Sequence, residues 1–319
     1  MAYRFIAAKK TTSAVGSAGS QGSDAPQGAE DASLSSVPVR VLCRCLGVSP
    51  SGYYAWLERP APARAVADAA LTATIHAIHT ISGGTYGAPR IHAELADPAG
   101  PYQLRCGRKR IARLMRLANV AGCHRRRAQR TTVSDPTAAP AEDLVKREFT
   151  PVAPDLLYVA DITYVRTWEG WLYLAVVLDA FSRRVVGWAM ADHLRTELVL
   201  EALGMAVWQR RPAPGAVFHS DHGCQYTSLA FGRELRDSGL VPSMGTVADA
   251  YDNAVAESFF ATLKCELLYR RPWPRREDAR RAIFEFIEAW YNRRRRHSTL
   301  GYVSPTEYER RYAMATAAA

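Results

Sequence analysis

Two kinds of hydrophobic pattern divide this chain. Up to about residue 130, apolar positions recur at helical spacing; from Leu156 onward, short apolar runs alternate with helical stripes. The first part predicts helices over 38–46 and 50–58, with Gly47 at the turn, Ser49 as N-cap and Pro50 at the first helical position. That pair has the form of a helix-turn-helix. A longer helix follows over 66–81. Gly84 and Gly87 then break the chain, and Pro89 begins a further helix. Ile111, Leu114, Met115 and Ala118 make the apolar stripe of another.

The second part reads as three strands over 156–165, 171–179 and 184–190, joined by antiparallel hairpins at Glu169-Gly170 and Ser182-Arg183. A helix over 196–210, a strand over 216–220, a helix over 228–238 and a short strand over 241–244 follow. A helix beginning near Asp252-Asn253 carries Val255, Phe259 and Leu263 as its buried stripe. A last helix over 277–293 buries Ile283, Ile287 and Trp290. The fold class is therefore α/β: a five-stranded mixed sheet with flanking helices, preceded by a small all-α region over 38–130. Residues 131–155, with Pro136, Pro140, Pro151 and Pro154, read as a linker before a core over 156–312. Residues 1–37, whose stretch 11–37 is rich in Ser, Ala, Gly and Gln, and the tail 313–319 are expected to be disordered.

Charge sharpens this picture. The 319 residues carry a formal net charge of +10 and a pI near 9.5, which suits a polyanionic partner. The excess is concentrated. Residues 101–130 hold ten basic side chains and no acid: Arg105, Arg108, Lys109, Arg110, Arg113, Arg116, Arg125, Arg126, Arg127 and Arg130. A basic helix with an apolar back suits phosphate contact or entry into the major groove. A second run, Arg293-Arg294-Arg295-Arg296-His297, ends the last helix, and exceeds what complementing a helix dipole requires.

Other chemistries are excluded by pattern. No stretch approaches 18 uncharged apolar residues, so no membrane span is expected. Arg4 is followed by no apolar export segment, and the chain reads as cytoplasmic and nucleoid-associated. Cys43, Cys45, Cys106, Cys123, Cys224 and Cys265 form no CxxC pair and read as reduced thiols. No phosphate-cradling Gly-rich loop is present, so a nucleotide cofactor is not expected. His219, Ser220 and Asp221 are the residue types of a hydrolase triad, but strand neighbours point to opposite faces and cannot form that relay.

Three acids stand apart. Asp161 interrupts the apolar run 156–162, where a carboxylate is costly unless a cation or an arginine meets it. Asp221 follows a short strand just before Gly223, a position that in α/β folds often faces the ligand crevice, although a turn-forming Asp is the plainer explanation. Glu257 lies off its helix's apolar stripe, with Lys264 two turns further along nearly the same face. Two aspartates and a glutamate from different elements can converge on a pair of Mg²⁺ ions and drive phosphoryl transfer on DNA. Asp179 and Asp252 lie near these motifs, but as a strand-end residue and a helix cap they are not assigned as ligands.

The words DITYV, EGWLYLAVVLDAFSRRVVGWAM, HSDHGCQYTS, SMG…DAYDNAVAESFFATLKCE and WYNRRRRHSTLGYVSPTEYE stand in that order from Asp161 to Glu309, and the resemblance they carry covers about residues 38 to 312. They resemble the DDE transposase and retroviral-type integrase superfamily, and more closely the second reading-frame product of the IS3 family of bacterial insertion sequences. Thirty-five residues separate Asp221 from Glu257, the superfamily's spacing. The resemblance implies a ribonuclease H-like core and a helix-turn-helix module in the basic region. It implies a DNA transposase that cuts element ends and joins them to target DNA, with Asp161, Asp221 and Glu257 holding two Mg²⁺ ions (Mn²⁺ a plausible substitute). Lys264, Arg108, Lys109, Arg110, Arg113, Arg116, Arg125, Arg126, Arg127, Arg293, Arg294, Arg295 and Arg296 are the expected DNA contacts. The implied partners are double-stranded DNA (terminal inverted repeats and target), further copies of the chain, and an upstream reading-frame product. A non-catalytic DNA-binding accessory or repressor, a catalytic half awaiting a frameshift-fused partner, and a resolvase-like or ribonuclease H-like nuclease are the alternative readings. The family pattern lacks an insert like residues 11–37.

Overall fold

The computed structural model describes residues 1–11, 37–124, 151–221, 223–244 and 254–318. It divides into two compact units, 1–71 and 72–319.

The first unit contains α1 (Ala2–Thr11), α2 (Val39–Cys45) and α3 (Pro50–Glu58), with the start of α4 (Ala63–Ile81). Ser49 caps α3 as its sequence position suggests, its hydroxyl accepting from the Gly52 amide at 2.8 Å. The first residues are not disordered. They form α1, and Ile6 is fully buried with Leu42, Cys43 and Tyr53, flanked by Tyr3 and Trp56. The cluster removes Ile6, Leu42 and the faces of three aromatic rings from water, which favours the helix over the open chain. The expectation of disorder for residues 12–36 lies outside the described residues.

The second unit begins within α4 and continues through α5 (Ala88–Ala96) and α6 (Arg108–Leu117), which pack on each other. Their buried faces are Ile91 and Leu95 on one side, Ile111, Leu114 and Met115 on the other. The sheet follows, built from β1 (Leu157–Thr167), β2 (Gly170–Asp179) and β3 (Val185–Ala191). After α7 (Thr196–Arg210) come β4 (Val217–Ser220), α8 (Leu229–Asp237) and β5 (Val241–Met244). The strand order is β3-β2-β1-β4-β5. β1 and β2 pair antiparallel, as do β2 and β3, while β4 and β5 join parallel. Each sheet face buries its own layer. Val159, Leu174, Val176 and Leu178 meet α9 (Ala254–Glu266) and α10 (Arg276–Glu285). Tyr158, Ala160, Ala175 and Val177 meet α7 and α8. Burial of both faces explains why β1 and β2 read as continuous apolar runs rather than as alternation.

Two features depart from the sequence reading. The last long helix is not a single α-helix: α10 gives way to a π-helical turn over Phe286–Tyr291, and Trp290 is only partly buried. The tail is not disordered beyond 312, because α11 (Pro305–Ala317) runs through it, capped by Ser304. Residues 72–124 fall in the same compact unit as the sheet. The reason is chemical. The Tyr86 hydroxyl accepts from the Arg296 amide at 2.8 Å, Arg90 reaches Glu266 at 3.4 Å, and Arg296 pairs with both Glu94 and Asp97. The linker expected over 131–155 lies largely outside the described residues, as do Arg125, Arg126, Arg127, Arg130, His222, Asp249, Asp252 and Asn253.

Candidate active site

The parallel pairing of β1 with β4 sets Val159 opposite His219. Asp161 and Asp221 each lie two residues further on, so they come level at the point where β4 ends and β1 runs on beside β2. Neighbouring strands lie about 4.8 Å apart, and side chains two residues apart share a face. Val159 packs in the layer beneath α9, so Asp161 faces that helix. α9 in turn is fixed by Val255, Ala256, Phe259, Phe260 and Leu263, all buried. Tyr291 from the π-helical turn stands edge-on to Phe259, centroids 4.8 Å apart at 87°. With that stripe inward, Glu257 is left exposed and Lys264 half-buried.

The electrostatics show how near these groups are. Burial raises the Asp161 carboxyl to about 7, and the charges of Asp221 and then Glu257 push in the same direction. The Ile162 amide, which donates to Oδ1 at 2.7 Å, and the Lys264 ammonium oppose the rise. Asp221 accepts from the Gly223 amide at 3.0 Å. A Cβ on Gly223 would sit 3.0 Å from that same Oδ1, so glycine is what lets the loop close around the carboxylate. Among the described residues, none of the three acids makes an ion pair.

Tyr226, not singled out by sequence, lies within reach of the charges of Asp161 and Asp221. Its hydroxyl is buried with no hydrogen-bond partner among the described residues. Burial and the charges of Asp161 and Asp221 hold its ionisation well above the usual phenol range. No local pattern marks it, since the ring is packed like a core residue against Phe231 at 5.3 Å. Level carboxylates that repel one another fit a divalent cation with its water shell. As placed they do not form a closed cage: among the described residues, no three His, Cys, Asp or Glu side chains have the spacing of a single-ion site.

The neighbouring groups have structural work. His219 is buried and its Nδ1 meets the Ser243 hydroxyl at 3.0 Å. Asp179, also buried, accepts from the Ser182 amide and hydroxyl, both at 2.7 Å, and from the Asp155 amide at 2.8 Å. It shapes the β2–β3 corner rather than facing the acids.

The basic residues divide sharply. On α6, Arg108, Lys109 and Arg116 are exposed, whereas Arg110 and Arg113 are half-buried. In the C-terminal run, Arg293 and Arg294 are exposed. Arg295 is not available to a phosphate. It is 4% exposed, and its guanidinium makes a two-pronged bond to Glu266 at 2.8 and 2.7 Å. Arg296 is likewise engaged, by Glu94, by Asp97 and by the Tyr302 carbonyl at 2.9 Å. The four arginines are thus two outward cations and two internal ties. Asn292 is a third tie, its amide group exchanging two hydrogen bonds with the backbone of Val185, at 3.0 and 2.9 Å.

Two family models described as Integrase core domain match residues 151–250 and 238–305, and a model described as HTH-like domain matches 66–128. The transposase for insertion sequence element IS629 of Shigella sonnei is 38% identical over 276 residues, 85% of this chain and 91% of that protein. Transposase InsF for insertion sequence IS3A of Escherichia coli strain K12 is 35% identical over 273 residues, 85% of this chain and 93% of that protein. Among solved structures, the HTLV-2 integrase catalytic core domain in complex with magnesium aligns with 50% of this chain and 98% of its own. The TM-score is 0.38 at 15% identity.

Proposed function

The chain belongs to the IS3-type family of insertion-sequence transposases, with an integrase-type core, and we propose that it cleaves and joins DNA strands at the acids Asp161, Asp221 and Glu257. The observation that carries this reading is the register of β1 against β4, which sets Asp161 and Asp221 level beneath the helix bearing Glu257. Two Mg²⁺ ions, with Mn²⁺ as substitute, would supply an activated water and a stabilised leaving 3′-oxygen. The three carboxylates would hold them, and Asp161 must shed its proton to do so. Lys264, whose charge already acts on Asp161, would steady the backbone of the reacting strand. In-line attack by the freed 3′-OH on a target phosphodiester conserves bond energy, so no nucleotide cofactor is needed.

DNA would be held by Arg108, Lys109 and Arg116 on α6 and by Arg293 and Arg294 near the core. Phosphate contacts position a duplex without reading its sequence. Paired cutting of two ends calls for more than one copy on the DNA, and an upstream reading-frame product remains a partner in this reading.

Glu257→Gln keeps the side chain's shape but removes a charged metal ligand. Purified protein with the element's end DNA and Mg²⁺ should give 3′-end cleavage and joined products. The variant should lose about a hundredfold or more of that activity, since even outer-shell changes at metal sites cost ten- to hundredfold, with DNA binding intact. Equal activity of the variant would refute the assignment.

A further inference from the structure

A surface next to the acids is left unused by that reading. The β1–β2 hairpin, the end of α9 and the segment through Trp273 enclose a cavity of about 550 Å³. Four large aromatic rings line it while facing solvent: Tyr164 at 61% exposure, Trp168 at 76%, Trp171 at 44% and Tyr269 at 77%. Single exposed apolar residues need no explanation, but a group lining one cavity marks a contact surface. The cations Arg166, Lys264 and Arg271 line the same cavity, and no acid does. Among the described residues, none of these three makes an ion pair.

The platform is held in place. Tyr164 and Trp171 meet edge to face, centroids 5.1 Å apart at 83°. Lys264 Nζ lies 5.9 Å from the Tyr164 ring centre, and the Arg271 guanidinium 4.3 Å from that of Trp273. Trp273 is buried, its indole donating to the Leu268 carbonyl at 3.0 Å, while its own carbonyl accepts from the Trp168 amide at 3.0 Å. Lys264 belongs to both this cavity and the acid site.

We propose that this cavity receives an unpaired nucleotide of the DNA strand passing the acids, its base stacked on Trp168 and Tyr269 and its phosphates met by Lys264, Arg166 and Arg271. Aromatic faces with interleaved cations and no carboxylate suit a base and its phosphate better than a protein surface. A paired base has both faces covered within the duplex, so only a frayed or single-stranded position can offer one. The proposal rests on the strand-transfer reading above.

The test uses the full chain without divalent metal, with a short fluorescent oligodeoxythymidine and, separately, the fully paired element end. Trp168→Ala combined with Tyr269→Ala should weaken oligodeoxythymidine binding about tenfold or more, the loss expected when stacking rings are removed. Binding to the paired end should stay within about twofold, and Trp168→Phe with Tyr269→Phe should restore the single-strand affinity. Unchanged single-strand affinity in the alanine variant overturns the proposal while leaving strand transfer standing. Failure of the phenylalanine pair to restore binding overturns it too. Unchanged single-strand affinity with loss of self-association in sedimentation would make the rings an interface between copies. Failure of the wild-type chain to bind either DNA overturns both readings.

Discussion

Asp161 is the residue whose surroundings say most. In the metal-free chain its carboxyl is raised from 3.8 to about 7, chiefly by burial and then by Asp221. A folded-state value above the unfolded one means the folded state holds the proton more tightly. That contribution to stability is complete at low pH and is lost as pH rises from about 4 toward 7. Asp161→Asn removes the liability, so the variant should melt above the wild type at pH 8 and close to it at pH 4. Mg²⁺ should raise the wild-type melting temperature at pH 8 and leave the variant's unmoved. Thermal melts at the two pH values decide it; a pH-independent difference would mean the carboxyl is not held as described. Asp161 itself was legible in the sequence because a charge inside an apolar run is conspicuous. Tyr226 was not, because nothing in a sequence shows that a packed ring's hydroxyl meets no partner among the described residues.

At the scale of elements, close approach of backbone matters more than composition. β3 lies against α7 through Gly187, where a Cβ would come within 2.2 Å of the Ala202 carbonyl oxygen and 2.8 Å of the Ala206 methyl. Gly187→Ala should therefore cost about 1–3 kcal/mol, as overpacking in a core does, read as a lower urea midpoint with an unchanged slope. The same close fit aligns β3, and through it β2 and β1, beneath α9. The strands and α7 to α9 could be read from apolar runs and turn residues because each is a local pattern. The π-helical turn could not, since Ile283, Ile287 and Tyr291 recur every fourth residue, as an ordinary α-helix also allows. α1 escaped because a ten-residue segment with one deep anchor, Ile6, carries too weak a stripe to stand out.

For the whole molecule, the arginine run shows why counting charges misleads. The partners of Arg295 and Arg296 are Glu266, Glu94 and Asp97, the last two about two hundred residues away in sequence. Arg295→Ala takes from the buried Glu266 its two-pronged partner and leaves it only the longer Arg90 contact at 3.4 Å, which costs about 3–5 kcal/mol. Arg293→Ala with Arg294→Ala should leave the melting temperature within a degree or two. It should weaken DNA binding at every sequence and reduce the slope of log affinity against log salt by about 2. Melting and a salt titration on the two variants separate the roles; a stable Arg295→Ala protein would show the pair to be dispensable.

The ties from Arg296 to Glu94 and Asp97 also bear on how such elements can be recombined. A chimera that joins the basic helices of one element to the sheet of another inherits half of each ion pair. Unless both halves carry the matching acids and arginine, the hybrid begins with stranded charges at its seam. Chimeras should therefore keep these ties when the seam falls in the first unit, before residue 72, and melt lower when it falls between Asp97 and the sheet.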